Sequence, residues 1–382
     1  MISTHSSTAP DEIFHKWTPA WSPDHTDPSL PPVTLITDTH DQPAYTTTAL
    51  AAHQPEHGRI AVHPTPLATA PAYLAHDLIR ALGKHLPAPH IDPPWWTSNA
   101  DESWRVAVAW TQALNISHYV ICRAHRITGR HLEHLMALRE RTRIRLTLVV
   151  SGPAPAALST TLNTVAHHQI DSIQDTRQHL NADQAPTPRT LASYAWWQRA
   201  PFPGPHDESW YELPPRPRRP AGKPDEVTSS TRGTPTRLSS TDSQPPAIAL
   251  QTFTRADTSS AHLETVAQRI HTRVAHPVHA AAVALRALTG YGTDQLAQLT
   301  IPTPHRPRAD LPTDLPDWAR LLRDAARIHT DLQGYIRHDL TDRLSGEDTP
   351  FRLSAWDKND VAHATETCHL VAARVRRARQ RP

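Results

Sequence analysis

"VTLITDTHDQPAYTTTALAAH", residues 33–53, is the stretch whose reading decides the fold. Its first five residues form an apolar, β-branched run suited to a strand buried on both faces. A polar turn follows, and "TTTALAAHQ" reads as a short helix opened by a threonine cap. Outward from there, "RIAVHPTP" at 59–66, "HYVICRA" at 118–124 and "IRLTLVVSG" at 144–152 repeat the strand signal. Helical spacing fills the gaps: "APAYLAHDLIRALGKHL" at 70–86, "DESWRVAVAWTQALNIS" at 101–117 with Asp101 as expected cap, and "GRHLEHLMALRERTR" with an inner stripe of Leu132, Leu135 and Leu138. "APAALSTTLNTVAHH" continues as helix after the last strand. Apolar strands alternating with helices predict an α/β domain over residues 31–200, a parallel sheet covered by helices on both faces.

The remainder of the 382 residues divides by composition. Residues 1–30 are polar and punctuated by proline, which predicts a disordered N-terminal tail. Residues 201–248 form a Pro/Ser/Thr-rich linker containing the basic cluster Arg216, Arg218 and Arg219. Residues 249–382 carry repeated helical periodicity and are expected to form a separate all-α domain. Within it, 276–301 reads as helix, glycine turn, helix. That shape serves either an αα-hairpin packing Val283, Leu285, Leu288, Leu296 and Leu299 or a helix-turn-helix. The pairs Trp95–Trp96 and Trp196–Trp197 are expected to pin loops onto the domain.

Formal charge is +2, so the chain as a whole is not a polycation, and contact with nucleic acid must be local. The place for it is the tail, where Arg374, Arg376, Arg377, Arg379 and Arg381 suit phosphate or an acidic protein partner better than base readout. Cys122 and Cys368 stand far apart, which offers neither a disulfide framework nor a cysteine zinc site. Twenty-seven histidines are scattered as GC-rich coding scatters them. His131 and His134 share a helix face but lack a third ligand, so neither metal nor cofactor is expected. No uninterrupted apolar run spans a bilayer and the N-terminus carries acidic residues, which predicts a cytoplasmic protein without membrane contact.

A phosphate-gripping P-loop is a strand, then GxxxxGK[ST], then a helix. Laid on residues 39–46, "THDQPAYT" puts Thr39 and Ala44 at the glycine positions and Tyr45 at the lysine position, leaving Thr46 alone as a match. Pro43 removes an amide, Asp41 adds negative charge, and the absent lysine forfeits about 1.5–3 kcal/mol of charge-assisted bonding. Downstream, "LNISHYVICRAHRITGRHLEHLMALRERTRIRLTLVVSG", residues 114–152, resembles the AAA+ ATP-binding subunits of transposition systems, the TniB/TnsC/ExeA-like group. The resemblance extends over about 31–165. It implies a P-loop NTPase-like sheet in which Val33–Thr37 and Tyr119–Cys122 are neighbouring parallel strands with the 38–46 turn at their carboxyl edge. It also implies that Cys122 and Arg123 replace the acidic pair that holds magnesium. Thr39, Ala44, Tyr45, Thr46, Cys122 and Arg123 would then be a vestigial nucleotide site.

The expectation is therefore a catalytically inactive AAA+-like accessory or regulatory protein of DNA mobility or maintenance. Its partners would be proteins, among them a transposase- or recombinase-like one, with DNA touched through the basic tail. The alternative is a DNA-binding adaptor using the helical half and the tail, without ATPase ancestry.

Overall fold

The computed structural model describes residues 17–23, 27–66, 68–86, 94–182, 211–213, 260–289, 315–334 and 355–372. Five strands form one parallel sheet: β1 (Val33–Asp38), β2 (Arg59–Val62), β3 (His118–Ile121), β4 (Arg145–Ser151) and β5 (His167–Ile170), in the order β2-β3-β4-β1-β5. Alternation of side chains sorts each strand between two faces. Ile36, Ala61, Val120, Val149 and Ile170 point one way and are covered by α1 (Pro43–Ala51) and α7 (Ile173–Ala182) through Tyr45, Ala49 and Leu180. Leu35, Ile60, Val62, Tyr119, Ile121, Leu146, Leu148 and Val150 point the other way. On that side they meet α2 (Pro71–Ala81), α4 (Ala100–Ala113), α5 (Gly129–Thr142) and α6 (Ala156–Leu162). A single turn of helix, α3 (Trp95–Ser98), precedes α4.

The α/β fold with a parallel sheet covered on both faces is as expected, but the strand neighbours are not. β4 lies between β1 and β3, so Val33–Thr37 and Tyr119–Cys122 are parallel without touching. β3 and β4 are joined by a 3-10 turn (Ala124–Arg126) and α5, and consecutive strands of such a unit usually lie side by side; β4 takes the place beside β3 and pairs β1 with its other edge. The fifth strand is "HHQI", whose first three residues are exposed, so it carried no apolar signal.

Local chemistry moves several helix starts. α1 begins with Pro43 at its first turn behind Gln42, not at a threonine. α4 is capped by Asn99, whose side chain accepts from the amide of Glu102, instead of by Asp101. α5 opens on a capping box between Thr128 and His131. Its Leu132, Leu135 and Leu138 are all buried, as the stripe predicts. Gly58, at φ +71, turns the chain into β2, and its Cα approaches so closely that a Cβ there would lie 2.9 Å from the Asn115 carbonyl.

Four further helices, α8 (Ser260–Arg273), α9 (Pro277–Thr289), α10 (Asp317–Gln333) and α11 (Ala355–Thr367), form a layer that packs on α4 through α10 and α9. The apolar residues of this layer, from Val266 to Leu370, belong to the same continuous core as the sheet face covered by α2, α4, α5 and α6. α4 is consequently enclosed on all sides, every residue from Glu102 to Thr111 being buried. Two short strands, β6 (Tyr211–Leu213) and β7 (Leu370–Ala372), pair in parallel. They place regular structure inside the stretch expected to be linker and inside the half expected to be purely helical. The N-terminal lead-in also has more structure than its composition suggests. Trp17 and Trp21 pack on the core, Leu30 is buried, and Asp27 pairs with Arg143 at 2.8 Å. Among the described residues no helix is long and apolar enough to cross a membrane.

Candidate functional site

In open parallel sheets a ligand crevice forms at the carboxyl edge where the connections leave adjacent strands toward opposite faces. That point here lies between β1, which leads to α1 on one face, and β4, which leads to α6 on the other. The turn after β1, residues 39–42, therefore stands at this edge. What fills the edge is different chemistry. Asp38 ends β1 with its carboxylate buried, 3.5 Å from the Ser151 hydroxyl that donates to it from β4. The amide of Ser151 donates to Nδ1 of His125, from the turn after β3. Asp41 sits in the left-handed region at φ +49 and Arg123 likewise at φ +49, and their side chains meet at 3.9 Å across the end of β4. Burial, then the cations of Arg126 and Arg123, hold the His125 imidazole below its usual pKa.

Of the predicted site residues, Arg123 reaches this edge and Thr39 lies exposed in its turn. Ala44 and Thr46 are half-buried on α1. Tyr45 points away from the edge: it is buried in the lower core and its hydroxyl donates to the Asp171 carbonyl at 2.8 Å. Burial, followed by Asp38 and Asp171, raises its pKa. Cys122 lies in the same apolar cluster, its thiol pushed up to about 12 by burial. Trp96 is buried while Trp95 is exposed. Arg374, Arg376, Arg377, Arg379 and Arg381 lie outside the described residues, as do Arg216, Arg218, Arg219, Trp196, Trp197, Leu296 and Leu299.

The one histidine pair singled out from sequence is not a ligand pair. Nδ1 of His131 accepts from the amide of Thr128 and its Nε2 contacts the Ala70 carbonyl at 2.9 Å, so both nitrogens serve the fold. Nδ1 of His134 lies 2.8 Å from the Arg130 carbonyl.

The structure instead brings together three residues remote in sequence: Glu102 on α4, His276 at the start of α9 and His329 on α10. Oε1 of Glu102 lies 2.9 Å from Nε2 of His329 and 3.6 Å from Nε2 of His276, and all three side chains are buried. Oε2 accepts from Nη1 of Arg105 at 2.8 Å, and Oε1 accepts from Nε2 of Gln333 at 2.5 Å. Arg105 is held in turn by donating from Nε to the Trp17 carbonyl. Trp96 stands edge-on to His276 at 5.5 Å, and His279 stacks on His276 at 4.2 Å. Burial alone would raise the Glu102 carboxyl, but His329 and His276 beside it hold it well below the usual carboxylate range. No short ligand-spacing motif joins these positions, which is why the sequence does not announce them.

A second polar joint links the same layers. Lys84, just past α2, is fully enclosed with Nζ 2.5 Å from Nδ1 of His271 on α8 and 3.6 Å from the centre of the Trp110 ring. Trp110 donates to the Ala275 carbonyl, and the amide of His85 to that of Thr272.

Comparison with protein-family models, with curated proteins and with solved structures gives no match.

Proposed function

We propose that this chain is a non-hydrolysing AAA+-like scaffold, an accessory protein of DNA mobility or maintenance that acts through protein contacts and touches DNA with its arginine-rich tail. The observation that carries the reading is the inverted charge at the β1–β4 crevice. A nucleotide site of this build needs cationic and amide donors in the loop after β1 and carboxylates after β3, because the loop must hold anionic phosphate and the far strand must hold its metal. Here the loop supplies Asp38 and Asp41, the turn after β3 supplies Arg123, which meets Asp41, and Ser151 at the end of β4 contacts both Asp38 and His125. Pro43 further deprives the first turn of α1 of an amide.

Support for the AAA+ part is topological. The sheet order 2-3-4-1-5 is neither the dinucleotide-binding order nor the flavodoxin order, both of which set the first strand beside different neighbours. The parallel sheet with the 38–46 turn at its carboxyl edge agrees with the reading, while the insertion of β4 between β1 and β3 departs from the adjacency that the resemblance implied.

The test is a fluorescent ATP analogue titrated with magnesium against the full chain, beside a turnover assay. The expected outcome is no saturation below about 1 mM and no turnover above blank. Saturation in the micromolar range, weakened by Thr46→Ala, would overturn the reading. Because the helical layer shares its core with the sheet, the tail is tested in the intact protein. Glutamine at the five tail arginines should abolish salt-sensitive DNA binding while leaving the far-UV spectrum unchanged.

A further inference from the structure

The closed polar pocket between α4 and the helical layer has no part in the function proposed above. We propose that Glu102, His276 and His329 form a site for a divalent transition metal, with zinc the best match, that fastens the helical layer onto α4. Two imidazoles and a carboxylate are a donor set for zinc and its neighbours, and a poor one for magnesium or calcium, which require oxygen.

The spacing fits. At metal–ligand distances of about 2.0–2.1 Å, donor atoms of a tetrahedral site stand about 3.3–3.4 Å apart. The two separations from Oε1, 2.9 and 3.6 Å, bracket that value, and all three donor atoms lie within 4.8 Å of one another. Nε2 of both imidazoles converges on the same oxygen of Glu102, which brings the three donor atoms to one point.

The surroundings supply an outer shell. Arg105 and Gln333 each donate to one oxygen of Glu102 and so fix the carboxylate, while Trp96 and His279 pack the ring of His276. The ligands come from three elements that meet only in the folded chain, so binding free energy becomes folding free energy.

The experiment uses the full chain prepared without chelator and reconstituted with Zn²⁺. Mass spectrometry should find about one zinc per chain. Chelation should lower the melting temperature, and zinc but not magnesium should restore it. X-ray absorption on the wild-type protein should show two imidazoles, oxygen and no sulfur. His329→Gln and His276→Gln should each reduce bound zinc about fivefold or more, while His131→Gln leaves it unchanged. A wild-type chain that stays zinc-free, with a melting temperature indifferent to zinc and chelator, would overturn the proposal. So would an absorption spectrum lacking paired imidazoles, which decides the matter even if the variants do not fold.

Discussion

Lys84→Met is the most informative single change at the joint between layers. In the native chain Nζ is enclosed by His271 and Trp110, and burial holds its pKa well below the ordinary 10.5. The folded protein thus gives up this proton at lower pH than the unfolded chain does. Between the two values the unfolded chain binds one proton more, so stability rises with pH, by up to about 1.4 kcal/mol per unit, until the window closes near 10.5. His271, lowered by burial and then by Lys84, acts in the same sense further down: its neutral form costs stability as pH falls below 6.5. Methionine keeps most of the stem's volume, so the packing change is small, and loss of the contact to His271 shifts the curve by about 1 kcal/mol without tilting it. Urea unfolding followed by tryptophan fluorescence at four pH values from 7.5 to 9.5 separates offset from slope. Across that range the wild-type stability should rise with pH relative to the variant's. Parallel stability curves for the two proteins would refute the reasoning, because they would mean that Lys84 keeps its proton in the fold.

Gly58→Ala should destabilise by about 1–3 kcal/mol in chemical denaturation, since φ +71 is strained for alanine and its Cβ would meet the Asn115 carbonyl at 2.9 Å. Cys122 and Cys368, both buried with thiols pushed up to about 12, should resist a thiol reagent at pH 8 in the native protein and react fully in denaturant; fast native labelling of either would contradict their placement. Tyr45→Phe should cost about 1 kcal/mol through the lost bond to the Asp171 carbonyl, and should leave nucleotide binding as it was, because that ring points into the lower core.

The strands that were legible are those buried on both faces. β1 to β4 are short runs of valine, isoleucine and leucine, and such runs cannot be anything but interior in a chain this polar. β5 was hidden because an edge strand may expose a histidine, a second histidine and a glutamine without cost. Strand order was legible only in part: periodicity tells which residues are inside, and β4's insertion between β1 and β3 depends on pairing that no single strand records. The carboxyl-edge site was half visible. Arg123 was found by its place after a strand, but its partner Asp41 had been counted only as an obstacle to phosphate. The Glu102 cluster left no mark, since α4 reads as an ordinary amphipathic helix with acids in its first turn, and a histidine before a proline is unremarkable in this composition. One signal was available: Arg105 sits inside "WRVAVAW", where an arginine flanked by apolar residues must find a buried carboxylate, and Glu102 is one helical turn away.

Magnitudes separate the two sites. The Asp41–Arg123 pair is partly exposed on both sides and is worth at most about 1 kcal/mol. Changing it should leave the fold intact. Glu102 is different, because removing Arg105 or the imidazoles strands a charge in a dry interior, a loss of about 3–5 kcal/mol and a sizeable share of a domain's stability. Variants at the crevice should therefore leave stability nearly unchanged, and variants at the pocket should lower it. A single substitution that moved both stabilities strongly would mean that the layer and the crevice are coupled through the core they share with the sheet.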